Sequence, residues 1–428
     1  MSAAFFWFLV LLMAFGTPVV FALLLGPGLS LLIDGETQYF PALLARFYNG
    51  IDSFPLLAVP FFILAGEIMN AGGITSSIVR FAQSLVGHVR GGLAQVNVLS
   101  SMIFAGISGS AVADASAIGK MMIPAMEREG YPRPFAAAVT AAAAVVGPII
   151  PPSGIMVLYG FVMNVSVGAL FAAGVVPGIL IGLALMGTIR ILSTRYNLPL
   201  AQPRATWRER GEAFKGAWLA MLLPVILLGG MLSGVFTATE AASVAVAYAL
   251  LVTIFITKRV GRSEFTSIFK ATALQSGVIL LLVGAAVTLG WLVTVSGLAG
   301  GIADTMLMIT DDVYLLMFLL NVLLFLVGMF LDAGPAILIL GPVLSPVFLG
   351  LGVDPVHFAL IMCVNLTIGL ATPPMGLLLF VTASVAKESV ENIVKALIPF
   401  LAVEILVIFL ITYFPSLVLT LPRMLGLM

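Results

Sequence analysis

Gly147-Pro148-Ile149-Ile150-Pro151-Pro152-Ser153-Gly154 is an odd stretch for an apolar segment, and the chain carries a counterpart, Gly369-Leu370-Ala371-Thr372-Pro373-Pro374-Met375-Gly376. The likeness extends upstream in the same order. Asp114 is followed by Pro124, Pro132 and Phe135, and Asp332 by Pro342, Pro355 and Phe358. Each copy sets a carboxylate ten residues before a proline, then Pro-x-x-Phe, then a double proline in an apolar run. Two interrupted hydrophobic segments at corresponding positions of two halves are the sequence mark of a transporter binding site.

Composition places the whole chain in a membrane. Of its 428 residues 61% are hydrophobic and 9% charged, where soluble domains carry about a quarter charged residues. The net charge is zero, and no basic run is long enough to suggest nucleic acid. Cys363 is the single cysteine, and His88 and His357 are the two histidines, which excludes a structural disulfide, a zinc cluster and an iron–sulfur site. The start lacks a basic n-region and a small-residue cleavage signal, so the first segment reads as a retained anchor.

A spanning helix needs about 20 mostly apolar residues. Such segments run roughly over 4–33, 56–71, 134–163, 166–190, 217–235, 241–257, 272–296, 355–385 and 397–420. Residues 93–127 and 313–350 are long enough to cross and return. Their centres are polar or broken, Ser108-Gly109-Ser110-Ala111-Val112-Ala113-Asp114 and Asp332-Ala333-Gly334-Pro335. They read as re-entrant helical hairpins, because irregular backbone at membrane depth must be buried in protein or line a cavity. The stretch from Ser193 to Lys215 reads as a surface helix linking the halves.

The expected fold is an all-α polytopic membrane protein with an inverted repeat, two re-entrant hairpins and two broken helices. Residues 1–55 form N-terminal scaffold helices. Repeat 1 covers 56–163, with its hairpin at about 93–127 and its broken helix at about 134–163. Residues 164–271 are scaffold helices and a cytoplasmic linker. Repeat 2 covers 272–385, with its hairpin at about 313–350 and its broken helix at about 355–385, and 386–428 is a C-terminal scaffold helix. Basic residues gather at Arg80 to Arg90, Arg128 and Arg133, Arg190 to Lys215, Lys258 to Lys270, and Lys387 and Lys395. All fall on one side if the two hairpins enter from opposite faces, as the positive-inside rule asks. Five crossings separate the first helices of the two repeats, so the copies are inverted.

Chemistry is expected at the hairpin tips and helix breaks. Proline donates no backbone hydrogen bond, so Pro151-Pro152 and Pro373-Pro374 free carbonyls about one turn earlier, near Gly147-Pro148 and Gly369-Leu370. Freed carbonyls beside hydroxyls are hard oxygen ligands suited to sodium. Ser108, Ser110 and Asp114 with Ser153 make one candidate cation site. Asp332 and Gly334 with Thr372, and Asn365 as an extra candidate, make the other. Half-helices starting near Ser153 and Met375 present positive ends to an anion. The substrate-binding candidates are therefore Ser153 and Gly154 at one break, and Pro373, Pro374, Met375 and Gly376 at the other.

Plainer roles compete for the same residues. Asp114 and Asp332 stand where an aspartate caps a helix, although a carboxylate inside a membrane is a costly cap. The double prolines also fit simple kinks, Ser108 and Ser110 can bond back to their own helix, and Asn365 suits helix–helix gluing. Glu404 lies a turn or two inside its span, placed to relay protons.

The residues resemble a known family. Ser108-Gly109-Ser110 with Asp114, Ile123-Pro124-Ala125-Met126, Gly130-Tyr131, Pro148 to Ser153 and the stretch Asp52 to Glu67 are similar to the large, DctM-type membrane subunit of tripartite ATP-independent periplasmic (TRAP) transporters. The likeness covers nearly the full length. It implies an elevator-type secondary transporter, like those of the ion transporter superfamily, in the bacterial inner membrane. It further implies sodium-coupled import of a small organic acid such as a C4-dicarboxylate, sialic acid or a sugar acid. The implied partners are a periplasmic binding protein of DctP type and a small integral-membrane subunit of DctQ type. By motif match, the family's cation sites fall on Ser108, Ser110, Asp114, Pro148, Ser153, Asp332, Gly334 and Thr372.

Two rival readings fit some of the same residues. One is a stand-alone sodium- or proton-coupled carboxylate or anion carrier of related fold. The other is a rhomboid-like intramembrane protease, suggested by the string Gly106-Ile107-Ser108-Gly109, with His357 as the base a serine nucleophile needs. A P-loop is excluded, because Gly119-Lys120-Met121 lacks its closing Ser or Thr.

Overall fold

Glycine and proline cut the apolar sequence into its helices, and the cuts fall at the repeats. The structure, a computed structural model, describes residues 4–195, 198–199, 203–258, 260–310 and 312–428. Met1 to Ala3, where the expected anchor begins, lie outside the described residues, as do Arg259 and Asp311 of the charge pattern and residues 196–197 and 200–202 of the polar stretch. Every regular element among the described residues is helical. Among the described residues seven helices are long and apolar enough to cross a membrane: Phe54–Ala71, Val167–Arg195, Trp207–Leu232, Ala238–Ile256, Glu264–Ser296, Ala333–Gly350 and Val390–Tyr413.

Several expected segments differ in detail. The 4–33 segment is two helices, Ala4–Ala14 and Val19–Ile33, packed on each other and separated at Gly16, whose φ is +81°. Among its described residues the polar stretch before Lys215 forms no separate surface helix. Its end, from Trp207, is the first turns of the long helix Trp207–Leu232, started by a capping box of Thr206 and Glu209. Likewise the helix expected from 272 begins at Arg262. Hydropathy locates only the apolar middle of such helices, while their polar first turns lie beyond it.

Each repeat is built in the same way. The first pairs the arms Gly92–Ser108 and Ala111–Arg128, and the second pairs Val313–Gly328 and Ala333–Gly350. The broken helices are Arg133–Ala144 with Gly154–Val162, and Pro355–Gly369 with Leu377–Ala386. The repeated Pro-x-x-Phe explains itself as a helix start with an anchor. Pro132 caps one helix and Pro355 opens the other, while Phe135 lies 5.9 Å from Phe400 and Phe358 stacks at 5.5 Å on Phe348, ring centre to ring centre.

One polar contact ties each entry arm to its own broken helix. The Asn97 amide donates to Thr140 Oγ1 at 2.7 Å, and the Asn365 amide donates to Asn321 Oδ1 at 2.7 Å. Such bonds glue helices where apolar burial gives no net drive. The repeats then interlock. The half-helix Gly154–Val162 packs on Ala333–Gly350 of the other repeat, and Leu377–Ala386 packs on Ala111–Arg128. Tyr159 donates to Ser345 Oγ at 3.4 Å across the first of these contacts. A single buried core runs through both repeats and includes the alanine-rich face from Ala136 to Ala144.

A candidate ion and anion site at the hairpin tips

At the first tip, Gly109 ends the entry arm with φ +59°, a conformation that favours glycine. Ser110 is then extended and accepts the Ala113 N–H at 3.4 Å, capping the exit arm. Capping therefore falls to Ser110, and Asp114 in the first turn is free for another role. Its side chain is fully buried. Ser108 Oγ donates to Asp114 Oδ1 and accepts the Ser110 N–H at 3.3 Å, whereas Asp114 Oδ2 has no hydrogen-bond partner. A buried carboxylate oxygen left unpaired is costly.

The first break faces this tip. Val145 to Pro152 form turns rather than helix, and Ser153 caps Gly154–Val162 by accepting the Met156 N–H at 3.4 Å. Ser153 Oγ also donates to the Pro148 carbonyl at 2.5 Å. Tip and break touch through glycines. A Cβ on Gly147 would stand 2.5 Å from Asp114 Oδ2, and one on Gly109 would stand 2.5 Å from the Pro152 carbonyl oxygen. The orphan oxygen thus lies against the Gly147 backbone, and tip and break between them carry the Ser108 and Ser153 hydroxyls and the Pro148 carbonyl. That donor set is hard and fits a small cation such as sodium. No group of three or more His, Cys, Asp or Glu side chains suited to a metal occurs among the described residues.

The second tip is arranged differently. Asp332 does cap its helix, accepting the Ala333 N–H at 2.7 Å, and its exposed surface faces a cavity inside the molecule. Thr372 Oγ1 is turned back to the Ile368 carbonyl at 2.9 Å. Gly369 presses on the Gly328 backbone, where a Cβ on Gly328 would meet the Leu366 carbonyl at 2.9 Å, and the Gly376 N–H donates to the Met329 carbonyl at 3.1 Å. The half-helix begins at Leu377, with Gly376 as its cap. Asn365 spends its amide on Asn321 and on the Ile361 carbonyl, the gluing role.

A cavity of about 270 Å³ joins these parts. Both tips line it, through Ser108 to Val112 and Asp332 to Pro335, and so does the first break through Pro148, Pro152 and Gly154. Of the second break only Leu370 reaches it; Pro373, Pro374, Met375 and Gly376 do not. Three helix N-termini, after Ser110, Ser153 and Asp332, therefore meet one space, and each is an anion-attracting end. The remaining walls are largely apolar, from Val59, Phe62 and Ile63 and from a stripe of Gln275, Val278, Ile279 and Leu282. Gln275 escaped the sequence reading. Its signal is the spacing i, i+3, i+4, i+7, which puts that glutamine on the same helix face as the apolar residues around the cavity.

The protease geometry is not formed. Ser108 gives its proton to Asp114, and the His357 ring nitrogen sits 2.8 Å from the Ile411 carbonyl.

Comparison with known proteins agrees with this architecture. The family described as tripartite ATP-independent periplasmic transporter, DctM component, matches residues 5–417. The sialic acid TRAP transporter large permease protein SiaM of Vibrio cholerae is 40% identical over 99% of this chain and 99% of its own length. The C4-dicarboxylate TRAP transporter large permease protein DctM of Pseudomonas aeruginosa is 38% identical over 90% of each. Among solved structures, the YdaH transporter of Alcanivorax borkumensis shares the fold, with a TM-score of 0.58 at 16% identity over 90% of this chain and 89% of that one.

Proposed function

The chain belongs to the DctM component family of tripartite ATP-independent periplasmic transporters, a multi-pass protein of the bacterial inner membrane, and on that premise we propose that it carries a small organic acid across that membrane with sodium. The observation that carries this reading is the convergence of three helix N-termini on one cavity, beside a buried Asp114 oxygen without a partner. Ser108, Ser110, Asp114, Gly147, Pro148 and Ser153 would hold one sodium ion; Asp332, Gly334, Gly369 and Thr372 would hold the second. Bound sodium supplies positive charge that offsets the two carboxylates. The chain's own part is to keep Asp114 dry and poised between tip and break, and to aim the N-termini at Ser110, Ser153 and Asp332 toward the acid's carboxylate.

In this reading the hairpins are re-entrant from opposite faces. The interlocked repeats, 56–163 and 272–385, move as one body against scaffold helices in 1–55, 164–271 and 386–428. Packing of each half-helix on the other repeat's exit arm supports a common motion. The substrate arrives on a periplasmic binding protein, and a small membrane subunit accompanies the chain. Gentle affinity purification of the tagged chain from its native membrane tests the assembly. An equal amount of a small multispanning protein is expected. A chain that comes out alone, yet transports an acid after reconstitution, is instead a stand-alone carrier.

A further inference from the structure

Relatives of similar identity carry names for sialic acid and for C4-dicarboxylates, so kinship leaves the type of acid open, whereas the cavity wall does not. Asp332 is the only charged side chain among the described residues that line the cavity; none is Lys, Arg or His. With the proposed sodium charge spent on Asp114 and Asp332, the positive potential left for a substrate comes from helix ends, each worth roughly half an elementary charge. That suits one carboxylate. A second carboxylate in the same space would lose its water with no cationic side chain to replace it.

The wall from the helix Arg262–Ser296 offers something else. Gln275 lines the cavity, and its side chain carries an amide with two donors and an acceptor. Thr272 and Ser276, one turn before and one residue after it, have buried hydroxyls without hydrogen-bond partners. Neither lines the cavity, and Gln275 alone gives this stretch of wall a neutral polar group, able to pair with hydroxyl groups and unable to neutralise charge.

We propose that this cavity selects a polyhydroxylated monocarboxylate over a dicarboxylate, with Gln275 as the side chain that reads the hydroxylated part. The proposal rests on the acid-transport reading above and narrows its substrate class. A site built to hydrogen-bond hydroxyl groups rejects analogues that lack them strongly, because its own polar groups are then left unpaired.

The test is binding of three probes, D-gluconate, succinate and butyrate, to the full chain purified with its membrane partner in sodium buffer, by calorimetry. Gluconate is expected to bind at least about tenfold more tightly than either other acid. Gln275→Leu should erase that preference while leaving sodium-induced thermal stabilisation unchanged. Gln275→Arg, which places a cation on the wall, should shift preference toward succinate. Succinate binding as tightly as gluconate to the wild-type chain, or an unchanged preference in both variants, would overturn the substrate class and leave the acid-transport reading standing. Binding of none of the three acids would overturn both.

Discussion

Replacing Gly109 by alanine asks one atom to enter space that backbone already fills. Gly109 has φ +59°, and its added Cβ would lie 2.5 Å from the carbonyl oxygen of Pro152. The left-handed conformation costs an alanine about 1 kcal/mol or more. Relieving a clash between two backbone segments adds about 1–3 kcal/mol. The sum, about 2–4 kcal/mol, corresponds to a shift of ~30-fold or more away from the closed tip-and-break arrangement. Gly154→Ala is the matched control, since the Gly154 nitrogen lies at the same contact, 3.4 Å from where a Gly109 Cβ would stand, while a Cβ on Gly154 itself would meet nothing within 4 Å. The assay is sodium activation of acid uptake in proteoliposomes holding the full complex, together with thermal unfolding of each variant. The alanine at 109 should raise the sodium concentration for half-maximal uptake at least about tenfold, and the alanine at 154 should leave it unchanged. Equal sodium curves for the two variants would refute the contact between tip and break on which the ion site depends.

Other consequences follow from the same geometry. Asp114→Ala and Asp332→Ala should each weaken sodium dependence while the chain still inserts in the membrane; wild-type sodium curves in both would remove the carboxylates from coupling. Gly369→Ala, whose Cβ would fall 2.5 Å from the Gly328 backbone, should cost about 1–3 kcal/mol, read as a lowered melting temperature. Asn365→Leu should cost about 1 kcal/mol by removing the shorter of the two bonds to Asn321 Oδ1, which keeps only the Thr412 hydroxyl at 3.3 Å, yet leave sodium activation in place, which separates gluing from ion binding in one titration.

Much of this arrangement was legible because glycine and proline act locally. The breaks at Val145–Pro152 and Leu370–Gly376, and the tips at Gly109 and Asp332, follow from missing N–H groups, a positive φ and good caps, all written in a few adjacent letters. Spacing alone did not separate the two aspartates. Only in three dimensions does Ser110 take the cap from Asp114 and leave that carboxylate for Ser108, while Asp332 keeps its capping role. Symmetry in the letters likewise says nothing about which break borders the cavity, and Pro373 to Gly376 lie away from it while Gly154 does not. Gln275 was missed for a related reason. One glutamine in an apolar helix is an ordinary helix-packing residue until its neighbours in space are known.

Sodium coupling through the tips is the claim on which the rest depends, and its most direct measurement is acid uptake by proteoliposomes of the complete complex, with the binding protein outside. An inward sodium gradient should drive accumulation in the wild type. Replacing sodium by choline, or carrying Asp114→Asn and Asp332→Asn together, should reduce it to the leak of empty liposomes. Accumulation that persists undiminished in choline, or in the double variant, would contradict the account.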